Sequence, residues 1–362
     1  MTGIKQYSLD IAGQTLKIEI GRLAGQANGA VTAQLGDTVV LATVVMSKEQ
    51  KVGAGFFPLS VDYEEKFYAR GKILGSRFMR REGRPSEEAI LNGRLIDRAV
   101  RPLFDQSIKN EVQIVTTVLS VDEKNDPDIV AMFASSLALV ISDIPWNGPI
   151  AAVRIGRIDS KWVLNPNFEE RAKGIADLVV SVSPDLKINM IEAGGSEIKE
   201  EDLIAGFEFA QGALKDIVEF IKKIAADFDT PKAPVILASV DSEIEEEVKK
   251  FLNKNNALEN AIYEKKKAKR LMNLDVLKEE LTTHIAAIDE SKVKAAEAVF
   301  ENAVDAMVHK NILERELRPD GRKLDELRDL ASEISFLPRT HGSGLFERGE
   351  TKVLSAFTLV AP

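Results

Sequence analysis

The chain has 362 residues, of which 44% are hydrophobic and 29% charged, and its formal net charge is −9. This length exceeds one ordinary domain, and the composition excludes a disordered chain. The absence of cysteine excludes disulfides and thiolate metal sites, and three histidines are too few for a zinc cluster or an evident catalytic triad. Because there is no signal peptide or membrane-length apolar run, we expect a cytoplasmic protein with no membrane contact.

Alternating apolar and polar residues predict strands in the first part of the chain. Residues 7–20 predict a β-hairpin around Gly13, and residues 29–46 predict a second hairpin that turns at Gly36 and Asp37. Further strands are predicted over residues 56–63, 112–121, 150–158, 161–164, 177–182 and 190–193.

Positive charge concentrates between residues 66 and 101, which contain ten lysines and arginines and four acidic residues, a local net charge of +6. Such an excess in an acidic protein predicts a site for a polyanion. Phe78, Met79, Arg80 and Arg81 place base-stacking side chains beside phosphate-binding guanidinium groups, which favours single-stranded nucleic acid. For any single residue, the alternative is an arginine paired with a surface carboxylate or a phenylalanine packed in the core.

A helix is predicted after this segment, with Ser86 as its N-cap and Pro102 as its stop. The i, i+4, i+7 spacing places Arg94, Arg98 and Arg101 on one face of that helix.

Three aspartates precede the next predicted helix, which covers residues 129–141. Asp126 is expected to be its N-cap, with Pro127 at the first helical position. Together with Asp122 and Asp128 it could form a metal site, but capping and turn chemistry explains these residue types as well, and we favour that explanation.

From Lys199 to about Glu316 the sequence predicts a small helical domain, rich in alanine, glutamate, lysine and leucine at helical spacing. Its charge runs, at residues 245–247 and 265–267, are expected to be solvated helix faces.

An early pattern then returns at an offset of 313 residues. The segment GDTVVLATV at Gly36 is echoed by GETKVLSAFTLV at Gly349, and Asn28 is matched by His341. One fold is therefore expected to begin twice. Pro362 matches position 49 of the first copy, so we expect about 150 residues of the second copy to be missing.

The residues of these segments resemble the bacterial polynucleotide phosphorylase (polyribonucleotide nucleotidyltransferase) family. The likeness covers essentially the whole chain, and its most specific parts are GFFPLSVDYEEKFYARGKILGSRFMRREGRPSEEAILNGRLIDRAVRPLF, RPDGRKLDELRDL and LPRTHGSGLFERGETKVL. It implies an α+β fold whose ribonuclease PH-like core (ribosomal protein S5 domain 2-like) covers residues 1–205. An all-helical linker domain would cover 206–312, and a truncated second core would begin at 313.

The resemblance also implies an activity. The family degrades RNA from the 3′ end by phosphorolysis, with inorganic phosphate as co-substrate, and releases nucleoside diphosphates in mRNA degradation; it can run in reverse as a polymerase. Its members carry KH and S1 RNA-binding domains and form a ring-shaped homotrimer on single-stranded RNA. Expected partners are therefore single-stranded RNA, two further copies of the chain and other proteins of RNA degradation, with Mg²⁺ bound outside this chain.

Site residues follow from the same resemblance. The Phe-Phe-Arg-Arg loop that grips RNA in the family matches residues 78–81, with Met79 in place of the second phenylalanine. The RPDGR element adds two further RNA contacts. The expected RNA-binding set is Phe78, Met79, Arg80, Arg81, Arg94, Arg98, Arg101, Arg318 and Arg322.

No catalytic or metal-binding residue is expected in this chain, because the family places its catalytic centre in the second core. The first-copy equivalent of the family's Asp-Phe-Lys element is Asp177-Leu178-Val179, which keeps the aspartate and lacks the lysine. Phosphorolysis needs cations for phosphate and carboxylates for a metal. We therefore expect the isolated chain to be inactive, and the alternative function is a non-catalytic RNA-binding and assembly module. A DNA-binding regulator is disfavoured because no helix-turn-helix or zinc signature is present.

Overall fold

The computed structural model describes residues 3–51, 56–73, 75, 83–228, 230–235 and 242–360. The chain forms two compact units, residues 1–238 (unit 1) and 239–362 (unit 2). No helix in these described ranges is both long and apolar enough to cross a membrane.

Unit 1 contains a six-stranded sheet in the order β1-β2-β3-β4-β6-β5. Neighbouring strands are antiparallel except β5 and β6, which are parallel. Buried and more exposed residues alternate along most of these strands because one face packs on the core. The strands are β1 (Lys5–Ile11), β2 (Gln14–Ile20), β3 (Gly29–Leu35), β4 (Thr38–Gln50), β5 (Leu59–Glu65) and β6 (Asn110–Ser120).

Both predicted hairpins are confirmed. Ala12 and Gly13 turn between β1 and β2 with positive φ at both positions, as a two-residue turn of this hand requires. Gly36 turns between β3 and β4 with φ of 59°, and Leu35 pairs with Thr38 across the turn.

A second sheet of unit 1 has the order β10-β9-β7-β8 and is antiparallel throughout. Its strands are β7 (Ala151–Ile158), β8 (Lys161–Leu164), β9 (Ala176–Val182) and β10 (Ile188–Gly195), which confirms the four predicted strands within a few residues.

Helices α1 (Glu87–Val100), α2 (Pro127–Ile141), α3 (Phe168–Lys173) and α4 (Glu200–Ala226) complete unit 1. Helix α2 is apolar on nearly all sides and packs on β3, β4 and β7. It approaches β3 so closely that a Cβ on Gly29 would lie 2.3 Å from the carbonyl oxygen of Ala138. A side chain at Gly29 is therefore excluded by the backbone of α2.

The sequence-based domain boundary at residue 205 falls inside α4. Leu214, Ile217 and Ile221 are buried in the core of unit 1, and Phe220 stacks on Phe133 of α2 with ring centroids 6.2 Å apart. The composition changes where α4 begins, but the apolar face of α4 packs on unit 1.

Unit 2 begins with helices α5 (Ser242–Asn253), α6 (Ala257–Ile262), α7 (Lys267–Ile288) and α8 (Val293–Arg315). They share a small core of their own, which includes Val248, Leu281, Ile285 and Phe300. The helical region predicted after Lys199 is confirmed, with α4 contributing to unit 1.

The repeated pattern forms the same hairpin twice. Strands β11 (Leu330–Ile334), β12 (Gly342–Arg348) and β13 (Thr351–Phe357) make a three-stranded sheet, in which β12 and β13 pair in the register of β3 and β4 shifted by 313 residues. Asn28 Oδ1 accepts a hydrogen bond from the N–H of Met46 at 3.0 Å, and His341 Nδ1 accepts one from the N–H of Leu359 at 2.9 Å. The expectation that one fold begins twice is therefore confirmed.

The two hairpins differ in burial. Helix α2 packs on the first hairpin, so that Val40 is fully buried, whereas Val353, its equivalent, is 53% exposed.

Candidate nucleic-acid interface

Helix α1 begins and ends where the sequence predicts. Ser86 Oγ accepts a hydrogen bond from the N–H of Ala89 at 3.0 Å, and Glu87 and Glu88 occupy the first turn, where their charge suits the helix dipole. The helix ends at Val100, shortly before Pro102.

The three arginines of α1 have different surroundings. Arg94 is exposed and has no carboxylate partner in the described part of the chain. Arg98 pairs with Glu192 of β10 at 2.5 Å. Arg101 pairs with Asp97 at 2.6 Å and also donates to the carbonyl oxygen of Leu59 at 3.1 Å, so it ties α1 to β5. Of the three, Arg94 is the one whose guanidinium is open to a ligand in this structure; the RNA contacts predicted for all three remain predictions.

A groove of about 380 Å³ lies between β5 and α1, and Arg94 is part of its wall. Its charged lining residues are three acids and two arginines. The groove is therefore close to neutral and would not attract a polyanion by itself. The lining residues are Leu59, Val61, Asp62, Tyr63, Glu64, Pro85, Ala89, Ile90, Gly93, Arg94, Asp97 and Arg101.

Phe78, Met79, Arg80 and Arg81 lie outside the described residues. Their RNA contact stays a prediction.

Arg318 and Arg322 lie in the segment between α8 and β11, where both are bound to the protein itself. Arg318 Nη1 lies 3.1 to 3.3 Å from the carbonyl oxygens of Lys323, Leu324 and Glu326. Arg322 pairs with Asp320 at 2.8 Å and donates to the carbonyl oxygen of Glu326 at 2.7 Å. These bonds hold the shape of the segment, and an RNA contact by either residue remains untested.

Asp122 has the turn role predicted for it. Its carboxylate accepts hydrogen bonds from the N–H groups of Lys124 and Asn125 at 2.9 and 2.8 Å, and from the hydroxyl of Thr38 at 3.0 Å. Partial burial would raise the pKa of Asp122, but the hydrogen bonds from Asn125 and Lys124 outweigh it and lower the pKa to about 2.

Asp126 differs from the prediction. It occupies the N-cap position of α2, but its side chain makes no capping hydrogen bond. It binds Arg171 instead, with both carboxylate oxygens within 2.9 Å of Nη1. The N-cap position is correct and the capping role is wrong, because a paired guanidinium binds the carboxylate in place of the helix N–H groups.

Arg154 of β7 lies at the centre of a buried ionic cluster. Its Nη2 donates to Asp128 at 2.6 Å and its Nη1 to Asp177 at 2.9 Å. Its Nε lies 2.9 Å from Asp126, at an angle that makes an ion pair without a hydrogen bond. The side chains of Arg154, Asp126 and Asp128 are only 9, 11 and 8% exposed. Arg171 completes the cluster by donating to Asp177 at 3.0 Å.

This ionic cluster stabilises the fold and leaves no place for a metal ion. The two guanidinium groups lie among the three carboxylates, where a cation would have to bind, and no group of residues in the described ranges could hold a metal ion. Next to Asp126 and Arg154 there is a cavity of only about 10 Å³, room for at most one water molecule. The cluster therefore joins α2, α3, β7 and β9, and leaves Asp177 neutralised.

Burial of this cluster changes the titration of Asp126. Desolvation and the neighbouring charge of Asp128 raise the pKa of Asp126 to about 6, against the opposing effect of Arg154 and Arg171. Because this pKa lies above that of the unfolded chain, ionised Asp126 destabilises the fold, and stability is gained as pH falls from about 7 to about 5.

We predict that Asp126→Asn reduces the dependence of the free energy of unfolding on pH between pH 5 and pH 7. The free energy of unfolding in urea at pH 5, 6 and 7 measures it, and the wild-type value minus the variant value should rise by about 1 kcal/mol toward pH 5. Asp185→Asn is the control, since the pKa of exposed Asp185 is lowered by Lys187 and Ser183. A free energy of unfolding that changes with pH by the same amount in the wild type and in Asp126→Asn would contradict the prediction.

Sequence reasoning missed Arg154 and Arg171. Arg154 among the apolar residues of strand β7 was the available signal, because a buried arginine requires a carboxylate partner. Nothing in the order of residues identifies which carboxylate that is.

Three family models match the chain in succession. The models of 3′ exoribonuclease family domains 1 and 2 match residues 12–145 and 148–213. The model described as polyribonucleotide nucleotidyltransferase, RNA binding domain, matches residues 243–323. The first two matches lie in unit 1 and the third lies in unit 2.

Curated relatives agree with these models. The chain is 45% identical over 353 residues to a polyribonucleotide nucleotidyltransferase of Heliobacterium modesticaldum, and 46% identical over 357 residues to one of Anoxybacillus flavithermus. These matches cover 98% of the chain and 49 and 50% of the two relatives. The chain thus spans about half the length of the curated relatives it matches.

Among solved structures, rice (Oryza sativa) Rrp46 is 15% identical, with a TM-score of 0.47, and the match covers 61% of this chain and 94% of that one. The ribonuclease PH-like, α+β fold expected from the sequence is confirmed by the two exoribonuclease models together with the mixed sheets and helices of unit 1. From three successive family matches and relatives at 45 and 46% identity, we conclude that this chain belongs to the polyribonucleotide nucleotidyltransferase family.

Proposed function

We propose that this chain works in a polyribonucleotide nucleotidyltransferase that degrades RNA from the 3′ end by phosphorolysis and releases nucleoside diphosphates. The observation that carries the proposal is the succession of two exoribonuclease domains and an RNA-binding domain in one chain. A processive exonuclease needs this combination, because the RNA must be held while its end reacts.

In this proposal the chain contributes RNA contacts. Arg94, with its open guanidinium, and the loop of Phe78, Met79, Arg80 and Arg81 bind phosphates and bases of single-stranded RNA. Arg98, Arg101, Arg318 and Arg322 have protein partners, and we propose that they position these contacts or exchange partners when RNA binds.

The chemistry itself is proposed to lie outside unit 1. Inorganic phosphate is the attacking group, and Mg²⁺ would offset the negative charge that develops on the phosphodiester. We further propose that the protein is a cytoplasmic homotrimer that works with other RNA-degrading proteins. We also propose that the chain divides into a first core (1–205), a helical linker domain (206–312) and the beginning of a second core (313–362).

The test assays the protein purified from its own cells for nucleotide release from poly(A), with Mg²⁺ and with or without phosphate. We expect adenosine diphosphate to appear only when phosphate is present. Phosphate-independent release of adenosine monophosphate would show a hydrolytic nuclease and overturn the proposal.

A second candidate function is a non-catalytic RNA-binding and assembly module. The observation that favours it is the neutralisation of Asp177 by Arg154 and Arg171, which leaves the family's acidic position in unit 1 without free charge. If the protein purified from its own cells binds RNA but releases no nucleoside diphosphate, this second function is favoured over the first.

We predict that Arg80→Ala combined with Arg81→Ala weakens binding of single-stranded RNA and reduces the log-log salt slope by roughly one to two units, because each guanidinium neutralises about one phosphate. Fluorescence anisotropy across a salt series measures the slope. The matched control is Arg22→Ala with Lys187→Ala, which removes the same charge from two exposed cations paired with Glu19 and Asp185, outside the basic segment. Equal slopes for the two double variants would refute the RNA contact.

A further inference from the structure

Three consecutive lysines stand at the start of α7, and we name Lys265, Lys266 and Lys267 the lysine patch. All three are exposed. None of them forms an ion pair with a carboxylate in the part of the chain that the structure describes. Their charge is therefore available to a ligand from solution.

The nearest acidic residue in sequence, Glu264, offsets only part of this charge: it accepts a hydrogen bond from the backbone N–H of Lys266 at 3.3 Å and attracts the Lys266 ammonium group. Glu264 pairs with Lys269 at 2.8 Å, and Arg270 donates to the carbonyl oxygen of Glu264 at 2.9 Å. Residues 264–270 thus hold five cations and one carboxylate, a net charge of +4 in a protein whose net charge is −9.

The position of the lysine patch makes the fold less stable. Positive side chains oppose the dipole at a helix N-terminus, and α7 has no acidic residue in its first turn. Helices α1 and α4 have two and three acidic residues there, whereas α8 also has none. A cluster that opposes the dipole of its own helix and forms no ion pair within the described residues points to a role outside folding.

Apolar side chains flank the patch on the next turn of α7. Leu271 is 49% exposed and Met272 is 58% exposed. Cations beside exposed apolar surface suit a polyanion that also carries flat, apolar bases, and single-stranded nucleic acid is such a ligand.

Three other lysines of α5 and α7 differ from the lysine patch because each lies beside a carboxylate. Lys249 pairs with Glu245 at 2.6 Å, Lys278 with Glu301 at 2.9 Å, and Lys250 lies 3.9 Å from Glu247. These lysines belong to salt-bridged helix faces, whereas residues 265–267 form the exposed, solvated face that the sequence predicts.

We propose that the lysine patch binds the phosphodiester backbone of single-stranded RNA, with Leu271 and Met272 against its bases. The inference rests on the proposed RNA-related function. It gives the RNA-binding domain model, which matches residues 243–323, a location for its contact. The ligand class follows from four excess positive charges, the open ammonium groups and the exposed apolar turn beside them.

The test replaces Lys265, Lys266 and Lys267 with glutamine in the whole chain and measures binding of a fluorescent oligo(A) across a salt series. Loss of three phosphate contacts should lower the magnitude of the log-log salt slope by about 2. The melting temperature should stay equal or rise, because the opposing charge at the helix N-terminus is removed.

The matched control replaces Lys249, Lys250 and Lys278 with glutamine, which changes the net charge equally within unit 2. We expect its salt slope to equal that of the wild type. An unchanged slope in the patch variant, or the same decrease in both variants, overturns the proposal. A wild-type chain that fails to bind oligo(A) overturns the proposed RNA function itself, so the two failures are distinguishable.

Discussion

Arg154→Met is expected to lower the free energy of unfolding by about 3–5 kcal/mol, the usual effect of removing one partner from a buried ionic cluster. The variant keeps most of the side-chain volume but leaves Asp126, Asp128 and Asp177 with only Arg171 for compensation. Two of these carboxylates are nearly inaccessible to water, so neither solvent nor salt can screen their repulsion. Urea unfolding at pH 7, followed by circular dichroism, measures the loss.

The matched control is Arg98→Met, which removes an arginine from an exposed pair with Glu192 and should change stability by less than about 1 kcal/mol. Adding Asp126→Asn and Asp128→Asn to Arg154→Met should recover part of the loss, because the cluster is then left with one carboxylate and one arginine. A loss below 1 kcal/mol in Arg154→Met would mean that the ionic cluster does not hold unit 1 together.

The second large effect concerns catalysis. We expect the 362-residue chain to bind RNA and to release no nucleoside diphosphate. Oδ2 of Asp177, the carboxylate that we propose matches the family's acidic residue, already accepts hydrogen bonds from Arg154 and Arg171. A carboxylate paired with two guanidinium groups is a poor ligand for a metal ion, because their positive charge already lies where the cation would bind. Leu178 and Val179, both buried, follow it where phosphate chemistry would need a cation.

Local patterns account for the parts of the fold that the sequence predicts. The two-residue turns at Ala12-Gly13 and Gly36-Asp37, the Ser86 cap and the Pro127 start of α2 each depend on a few neighbouring residues. The repeat was also visible in sequence, because turn and strand residues recur at one offset.

Helix α3 shows a signal that was present and missed. Asn167 and Glu170 form a capping box, in which each side chain binds the backbone N–H of the other residue. A helix of six residues leaves too little periodicity for the pattern to stand out.

Long-range partners could not be predicted. Asp126 was expected to cap α2, and whether it does depends on Arg154 and Arg171, which lie 28 and 45 positions later in the chain. Only the packing of β7 and α3 around α2 brings these groups together. For the same reason Arg98 and Arg101 lie on the predicted helix but have protein partners that the spacing could not reveal.

Nucleoside diphosphate release from poly(A) by the 362-residue chain, with phosphate and Mg²⁺, tests most directly the claim that unit 1 holds RNA without reacting with it. We predict saturable RNA binding by anisotropy and no adenosine diphosphate above the level of a reaction without phosphate. Phosphate-dependent release of adenosine diphosphate that disappears in Asp177→Asn, while that variant still folds and binds RNA, would contradict the claim and place the active site in unit 1.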